Sequence, residues 1–314
     1  MVVHNRGARP QTVKVLRGGL YALEVPAKAV EQIEASKAEI PPGTPVNIAF
    51  LGNEDHAQRI RAARVIRECG FEPVPIISSR RLRSKDDLDN LLGALIKQAR
   101  PGRFILVGGD PAVPAGPYPD SLSLLKSRVI EHYAIRRVGI VAYPEGHPKI
   151  DDNTLWRALR WKLAFLKDAG CSVEITTQVG FDADAILKWI KQLRGEGIDT
   201  TVRIGVPGPA HLGRLLRFAR QFGVVTSPGI LCKYGFSRTN LVDHVGPERF
   251  FERLASGMNG QDLGPVLYHL YPFGGIADGV RWMNSYVLPR CLLAVPHSSR
   301  GKPLSFKDVW PGVP

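Results

Sequence analysis

Glu24 sits inside the otherwise apolar run Tyr21–Pro26 (YALEVP), flanked by Leu23 and Val25. A carboxyl group so placed faces a protein interior or the mouth of a cavity. Burial favours its protonated form, which suits proton donation, unless a basic partner holds it in a structural ion pair. Asp110 follows Gly108 and Gly109 at the end of another apolar run. Two glycines let a ligand approach the backbone, although Gly-Gly-Asp-Pro is also ordinary turn chemistry. Tyr143-Pro144-Glu145-Gly146-His147-Pro148 sets a phenol, an acid and an imidazole in one loop stiffened by prolines. His and Glu without a third ligand make a poor metal centre, so no metal site is expected. Gln178 follows Thr176 and Thr177 and carries both a donor and an acceptor, fit for the edge of a heterocycle or for capping a loop. Asp182 reads as a helix cap. In Val266–Tyr271 (VLYHLY), alternation puts His269 and Tyr271 on one face. They are either a satisfied core pair or, if that face is interior, mouth residues with Tyr271 against substrate.

These residues need elements to position them. Short apolar runs alternate with amphipathic segments along the chain. Strands are expected at Tyr21–Pro26, Asn47–Gly52, Glu72–Ser78, Phe104–Gly109, Arg137–Tyr143, Ser172–Val179, Thr200–Val206 and Val266–Tyr271. Helices are expected between them: Lys28–Lys37, Asp55 to Cys69, Lys85–Gln98 behind Ser84, Asp120–His132, Asn153–Ala169, Asp182 to Gly195, Ala210–Phe222 and Pro247–Met258, with a last one over Ile276–Tyr286. Eight strands each followed by a helix predict an α/β fold, a single-domain (β/α)8 TIM barrel. The continuous apolar runs suit strands covered on both faces. An open doubly wound sheet is disfavoured, because the first strand–helix turn lacks GxGxxG. The expected division is an N-terminal extension over 1–19, the barrel over 20–288 and a polar, Pro-rich tail over 289–314. In such barrels the active site lies at the carboxyl ends of the strands, where the residues above cluster.

Composition narrows the partners. Hydrophobic residues make up 44% and charged residues 23%, as in globular chains. The net charge of +13, from 42 Lys+Arg against 29 Asp+Glu, favours anionic ligands. Without a long basic block it points to nucleotide cofactors or polyglutamates rather than nucleic acid. Cys69, Cys171, Cys232 and Cys291 form no CxxC pair, which fits a reducing cytoplasmic setting. Neither a secretory signal nor a membrane-length apolar run is evident.

Taken in order, the strand ends resemble the methylenetetrahydrofolate reductase family from about Tyr21 to Tyr271. The family's "FE(F/V)xPP" is similar to LEVP around Glu24, and "RPVPHLTxR" to Glu72–Arg80, EPVPIISSR. "(R/G)GDxP" matches Val107–Pro111, "AAYPExHPE" matches Ala142–Lys149, and "DAGAxxxITQxxFD" matches Asp168–Asp182. The later "GIxP" resembles Ile204–Pro207. YPExHP and ITQxxFD are the specific matches.

The resemblance implies reduction of 5,10-methylenetetrahydrofolate to 5-methyltetrahydrofolate, with FAD relaying hydride from NADH or NADPH. On that basis Glu24 would be the general acid at folate N10. Asp110 would sit near flavin and pterin, and stabilise the iminium. Gln178 and Tyr271 would contact substrate. Gly108, Gly109, Asp110, Tyr118, Tyr143, His147, Arg160 and Lys162 would hold the flavin. The folate would come with or without a polyglutamate tail, and self-association of the chain is left open.

Several positions depart from the family. Ile76-Ile77-Ser78 stands where His-Leu-Thr is usual. Before Asp168-Ala169-Gly170 the family has LKxKV, with basic residues for the flavin pyrophosphate; here the chain reads Leu163-Ala164-Phe165-Leu166-Lys167. One residue is inserted between Gly170 and Gln178, and Gly52-Asn53-Glu54-Asp55 replaces a Gly/Ser/Thr-rich loop. All touch flavin contacts. Two other readings therefore stand beside the first: a flavin-free or divergent one-carbon folate enzyme of a methyl-transfer or demethylation pathway, and a non-catalytic folate- or nucleotide-binding barrel.

Overall fold

A computed structural model describes residues 19, 21–211, 213 and 247–289. Eight parallel strands close into a barrel in sequence order: β1 (Tyr21–Pro26), β2 (Pro45–Ala49), β3 (Glu72–Ser78), β4 (Phe104–Val107), β5 (Arg137–Ala142), β6 (Ser172–Val179), β7 (Thr201–Pro207) and β8 (Val266–Tyr271). The ring closes through Tyr21↔Tyr268, Ala22↔His269 and Leu23↔Leu270. The helices are α1 (Val30–Ala35), α2 (His56–Glu68), α3 (Lys85–Ala99), α4 (Ser121–Lys126), α5 (Val129–His132), α6 (Asp152–Asp168), α7 (Ala183–Gly195), α8 (Glu248–Met258) and α9 (Ile276–Trp282). The expected (β/α)8 barrel is the observed fold. Among the described residues no helix is long and apolar enough to cross a membrane.

Local chemistry explains the starts and stops. Asp55 and Ser84 accept from the backbone N–H groups of Gln58 and Asp87, so α2 and α3 begin behind side-chain caps. Asp182 caps α7 through Asp184 and Ala185. Several boundaries differ from expectation, and β2 begins at Pro45 and ends at Ala49 instead of spanning Asn47–Gly52. β4 ends at Val107, and Gly108 and Gly109 turn away from it. Gly109 has φ +99°, and a Cβ there would fall on the Ser78 hydroxyl. The single helix expected over Asp120–His132 is broken into α4 and α5 at Arg128, which is left-handed with φ +63°. Ser127 Oγ donates to the Leu124 carbonyl just before the break, competing with helix continuation. The last helix ends in a π-helical turn, Met283–Val287. Most of the expected helix over Ala210–Phe222, of the N-terminal extension and of the tail lies outside the described residues.

Strand alternation divides the barrel into an outer and an inner layer. Leu23, Ile48, Ile140, Ile204 and Leu270 are fully buried in the apolar layer under the helices. The inner positions are different. Near the amino ends, Glu174 accepts from Arg203 at 2.6 Å and pairs with Arg103, while Arg137 pairs with Glu72 at 3.3 Å. This ionic plug closes the bottom of the barrel. Small inner residues let neighbours close in: Gly139, level with Glu174, is covered by Ile105, and Gly205, two residues above Arg203, is covered by the Thr177 and Gln178 carbonyls.

Candidate functional site

Glu24 is the fourth residue of β1, and its neighbours Leu23 and Val25 belong to the outer layer, so its side chain points into the barrel. His269 is on β8 opposite Ala22, one inward position lower. Its Nε2 reaches up to Glu24 Oε2 at 3.2 Å. The imidazole is fully buried and the carboxyl side chain 21% exposed. A proton on Nε2 satisfies this contact and leaves Nδ1 as a buried acceptor without a partner among the described residues.

Tyr271 is the next inward residue of β8, level with Glu24. Its ring meets His269 edge-on at 4.7 Å, and its hydroxyl donates to the Thr177 carbonyl of β6 at 3.4 Å. Burial, then the charges of Glu24 and Tyr143, hold its phenol well above the usual tyrosine range. Burial also raises Tyr143. Both phenols therefore remain protonated donors at neutral pH.

Gln178 lies where the β6–β7 register shifts, between Thr176 and Val179. Such bulges re-aim side chains near active sites. Its Oε1 accepts from the Val179 N–H at 2.9 Å, and its NH2 group has no partner among the described residues. Thr177 Oγ1 accepts from Gly205 N–H at 2.8 Å and donates to the Gln178 carbonyl. A side chain at Gly205 would strike that carbonyl, so glycine is required there.

The YPEGHP loop after β5 is clasped to the next loop. Glu145 Oε1 accepts from the backbone N–H of Phe181 at 2.6 Å and of Asp182 at 3.0 Å. This motif acid is thus a clamp between two loops. His147 packs edge-on against Tyr143 at 5.0 Å, and its Nδ1 accepts from Lys149 N–H. Burial, then the Lys149 charge, lowers its pKa and keeps it neutral.

Asp110 lies on the same rim but in another arrangement. Its carboxylate is 76% exposed and accepts from Arg81 Nη2 at 2.6 Å. Arg81 in turn covers Gly52, where any Cβ would meet its guanidinium. Arg80 donates to the carbonyls of Pro111, Ala112 and Pro119, holding the loop that carries Asp110. Arg59, wholly buried on α2, donates to the Ala49 and Ile76 carbonyls at the ends of β2 and β3 and stacks on Phe50. Burial lowers its pKa to about 9. None of these arginines was singled out in the sequence. Consecutive Arg80-Arg81 directly after β3 was the available signal. No described contact joins Asp110 to Glu24.

The remaining positions expected to hold a flavin do not converge with this rim. Tyr118 is buried beside Ser127 in a groove of 450 Å3 between α3 and α5, on the outside of the barrel. Arg160 forms a bidentate pair with Glu196 at 2.7 Å and 2.7 Å on the outer helical surface. Lys162 is buried on α6, its pKa lowered to about 8 by desolvation despite the nearby Asp120 charge. Phe165 stacks on Trp161 at 5.0 Å, and Leu166 is fully buried. Among the described residues no group of three His, Cys, Asp or Glu side chains converges to hold a metal. A further groove, of 390 Å3, lies by Asp184, Lys188 and Arg253 on the helical surface, and Glu24 lines neither groove.

No family model matches the chain. Methylenetetrahydrofolate reductase 2 of Saccharomyces cerevisiae is 31% identical over 112 residues, which is 35% of this chain. The chain matches only 17% of that relative's length. A solved structure from Clostridium thermocellum, described as an uncharacterized protein that binds two copies of 5-methyl-5,6,7,8-tetrahydrofolic acid, shares the fold. Its TM-score is 0.55 at 12% identity, covering 89% of this chain and 94% of that one. Over the matched stretch the chain is similar in sequence to that methylenetetrahydrofolate reductase, and in barrel topology it is similar to the Clostridium thermocellum structure.

Proposed function

We propose that this chain is an enzyme that reduces 5,10-methylenetetrahydrofolate to 5-methyltetrahydrofolate with a hydride from NADH or NADPH. The observation that carries the reading is the Glu24–His269 pair at the open end of a barrel whose other end is closed by ions.

The reaction needs a proton at folate N10 and a hydride at the bridging carbon. Protonated Glu24 donates to N10, and the bond from the bridging carbon to N10 breaks. The carbon remains on N5 as an iminium, which accepts hydride and becomes the methyl group. The nicotinamide leaves oxidised. Glu24 ends as a carboxylate, which the His269 Nε2–H stabilises by a hydrogen bond. The phenols of Tyr271 and Tyr143 stay protonated, so they donate hydrogen bonds and do not compete as bases. Gln178 offers its NH2 to a ring or carboxamide oxygen, and exposed Asp110 offers acceptors to the amino edge of a pterin.

Glu24→Gln keeps the shape and removes the acid. Turnover to 5-methyltetrahydrofolate is expected to fall about 10²- to 10⁴-fold, the usual contribution of general acid catalysis. Unchanged turnover would refute the assignment.

A further inference from the structure

FAD carries a pyrophosphate, and a protein that encloses one must supply cations or free N–H donors to it. The family resemblance assigns this task to α6 and its basic residues. Here α6 cannot perform it. At the two positions before the Asp-Ala-Gly turn where the family carries positive charge stand Ala164, which has no charge to offer, and Leu166, which is fully buried. Arg160 has the Nε–Nη2 edge of its guanidinium engaged by Glu196. Lys162 is buried on α6, and the charge it feels is that of Asp120.

The rim that would meet the flavin ring is altered as well. Arg81 closes over Gly52 and pairs with Asp110, adding a guanidinium beside the carboxylate that the resemblance places next to the flavin. Tyr118, the remaining ring assigned to the flavin, is turned into the outer groove with Ser127. These positions on α6, on the rim and in the outer groove thus disagree with FAD, while Glu24, Tyr271 and Gln178 remain towards the carboxyl ends of the strands, with His269 buried beneath Glu24.

From this disagreement we infer that the chain works without FAD, and that the nicotinamide passes its hydride directly to the folate. The inference rests on the reduction reading above. The step balances without a relay. The C4–H bond of the reduced nicotinamide breaks, its electron pair forms the new C–H bond on the iminium carbon, and N10 keeps the proton from Glu24. The products are oxidised nicotinamide and 5-methyltetrahydrofolate. Both substrates must then occupy the mouth together, so the kinetics are sequential. A flavin relay would give ping-pong kinetics.

The test uses the full chain purified without added flavin. Its visible spectrum is recorded, and its turnover is followed with NADH or NADPH plus methylenetetrahydrofolate, with and without added FAD. The nicotinamide is then deuterated at the transferred C4 position, and the methyl product is analysed at limiting folate. Expected are a colourless protein, turnover unaffected by FAD, intersecting double-reciprocal lines and one full deuterium in the methyl group. A yellow protein, dependence on FAD, parallel lines or loss of label to water through a flavin N–H would overturn the inference and leave the folate reading standing. Absence of 5-methyltetrahydrofolate under every condition, FAD included, would overturn both.

Discussion

His269 Nε2 lies 3.2 Å from Glu24 Oε2, two side chains 245 residues apart that meet only because β8 closes the ring against β1. The histidine is fully buried and the acid faces the opening, so the pair has a dry side and a wet side. The Nε2–H donor stabilises the carboxylate that Glu24 becomes on giving up its proton. His269→Leu removes that donor, so kcat should fall about tenfold or more, because hydrogen bonds to charged groups contribute about 1.5–3 kcal/mol, with folate KM changed less than about threefold. His269→Gln, which restores a donor, should recover kcat. A purely structural histidine would lower stability and leave kcat in place.

The strands were legible because each is an apolar run covered on both faces, and the helix starts were legible because Asp55, Ser84 and Asp182 cap them. What escaped notice are side chains whose partners lie far away in sequence. Nothing near Arg160 announces Glu196, and nothing near Asp110 announces how Arg81 turns over Gly52. Glu145 reads as motif chemistry and is a backbone clamp on Phe181 and Asp182. His269 was visible as an inward residue of an alternating strand, but its contact with Glu24 follows from barrel closure.

The ionic plug makes a stability prediction. Burial pushes the Glu174 carboxyl up, but the Arg203 and Arg103 guanidiniums outweigh it and hold the group below the usual range. A depressed carboxylate contributes stability above its unfolded pKa and loses it as pH falls through the folded value. Glu174→Gln leaves two buried arginines without their counter-charge, at a cost of about 3–5 kcal/mol. Urea unfolding at pH 7 should show this loss, and the difference from the parent should shrink in acid. A neutral result would mean that water satisfies the arginines.

Asp110 separates binding from stability. Its pair with Arg81 is largely exposed on the acid's side, and such pairs contribute about 0–1 kcal/mol. Asp110→Asn should therefore leave Tm nearly unchanged. If the carboxylate receives the pterin's amino edge, folate KM should rise about tenfold or more, because charge-assisted hydrogen bonds contribute about 1.5–3 kcal/mol. Unaltered folate kinetics would remove Asp110 from the site.

Lys162 is the sharpest case, because a flavin contact and a buried structural lysine predict opposite effects. Desolvation lowers its pKa to about 8 from 10.5, with Asp120 opposing the shift. A base whose folded pKa is depressed destabilises the fold while it must stay protonated. Below pH 8 both states bind the proton and the full penalty is present. Between about pH 8 and 10.5 the unfolded chain holds more protons than the folded one, so stability rises with pH. The shift is equivalent to about 3 kcal/mol. Lys162→Met keeps the apolar stem and removes the charge. The variant should be more stable than the parent at pH 7, with the advantage vanishing near pH 10, while reductase turnover persists. Thermal unfolding of both proteins across that range gives the answer. Lower activity at unchanged stability would return the lysine to an anion such as a cofactor phosphate.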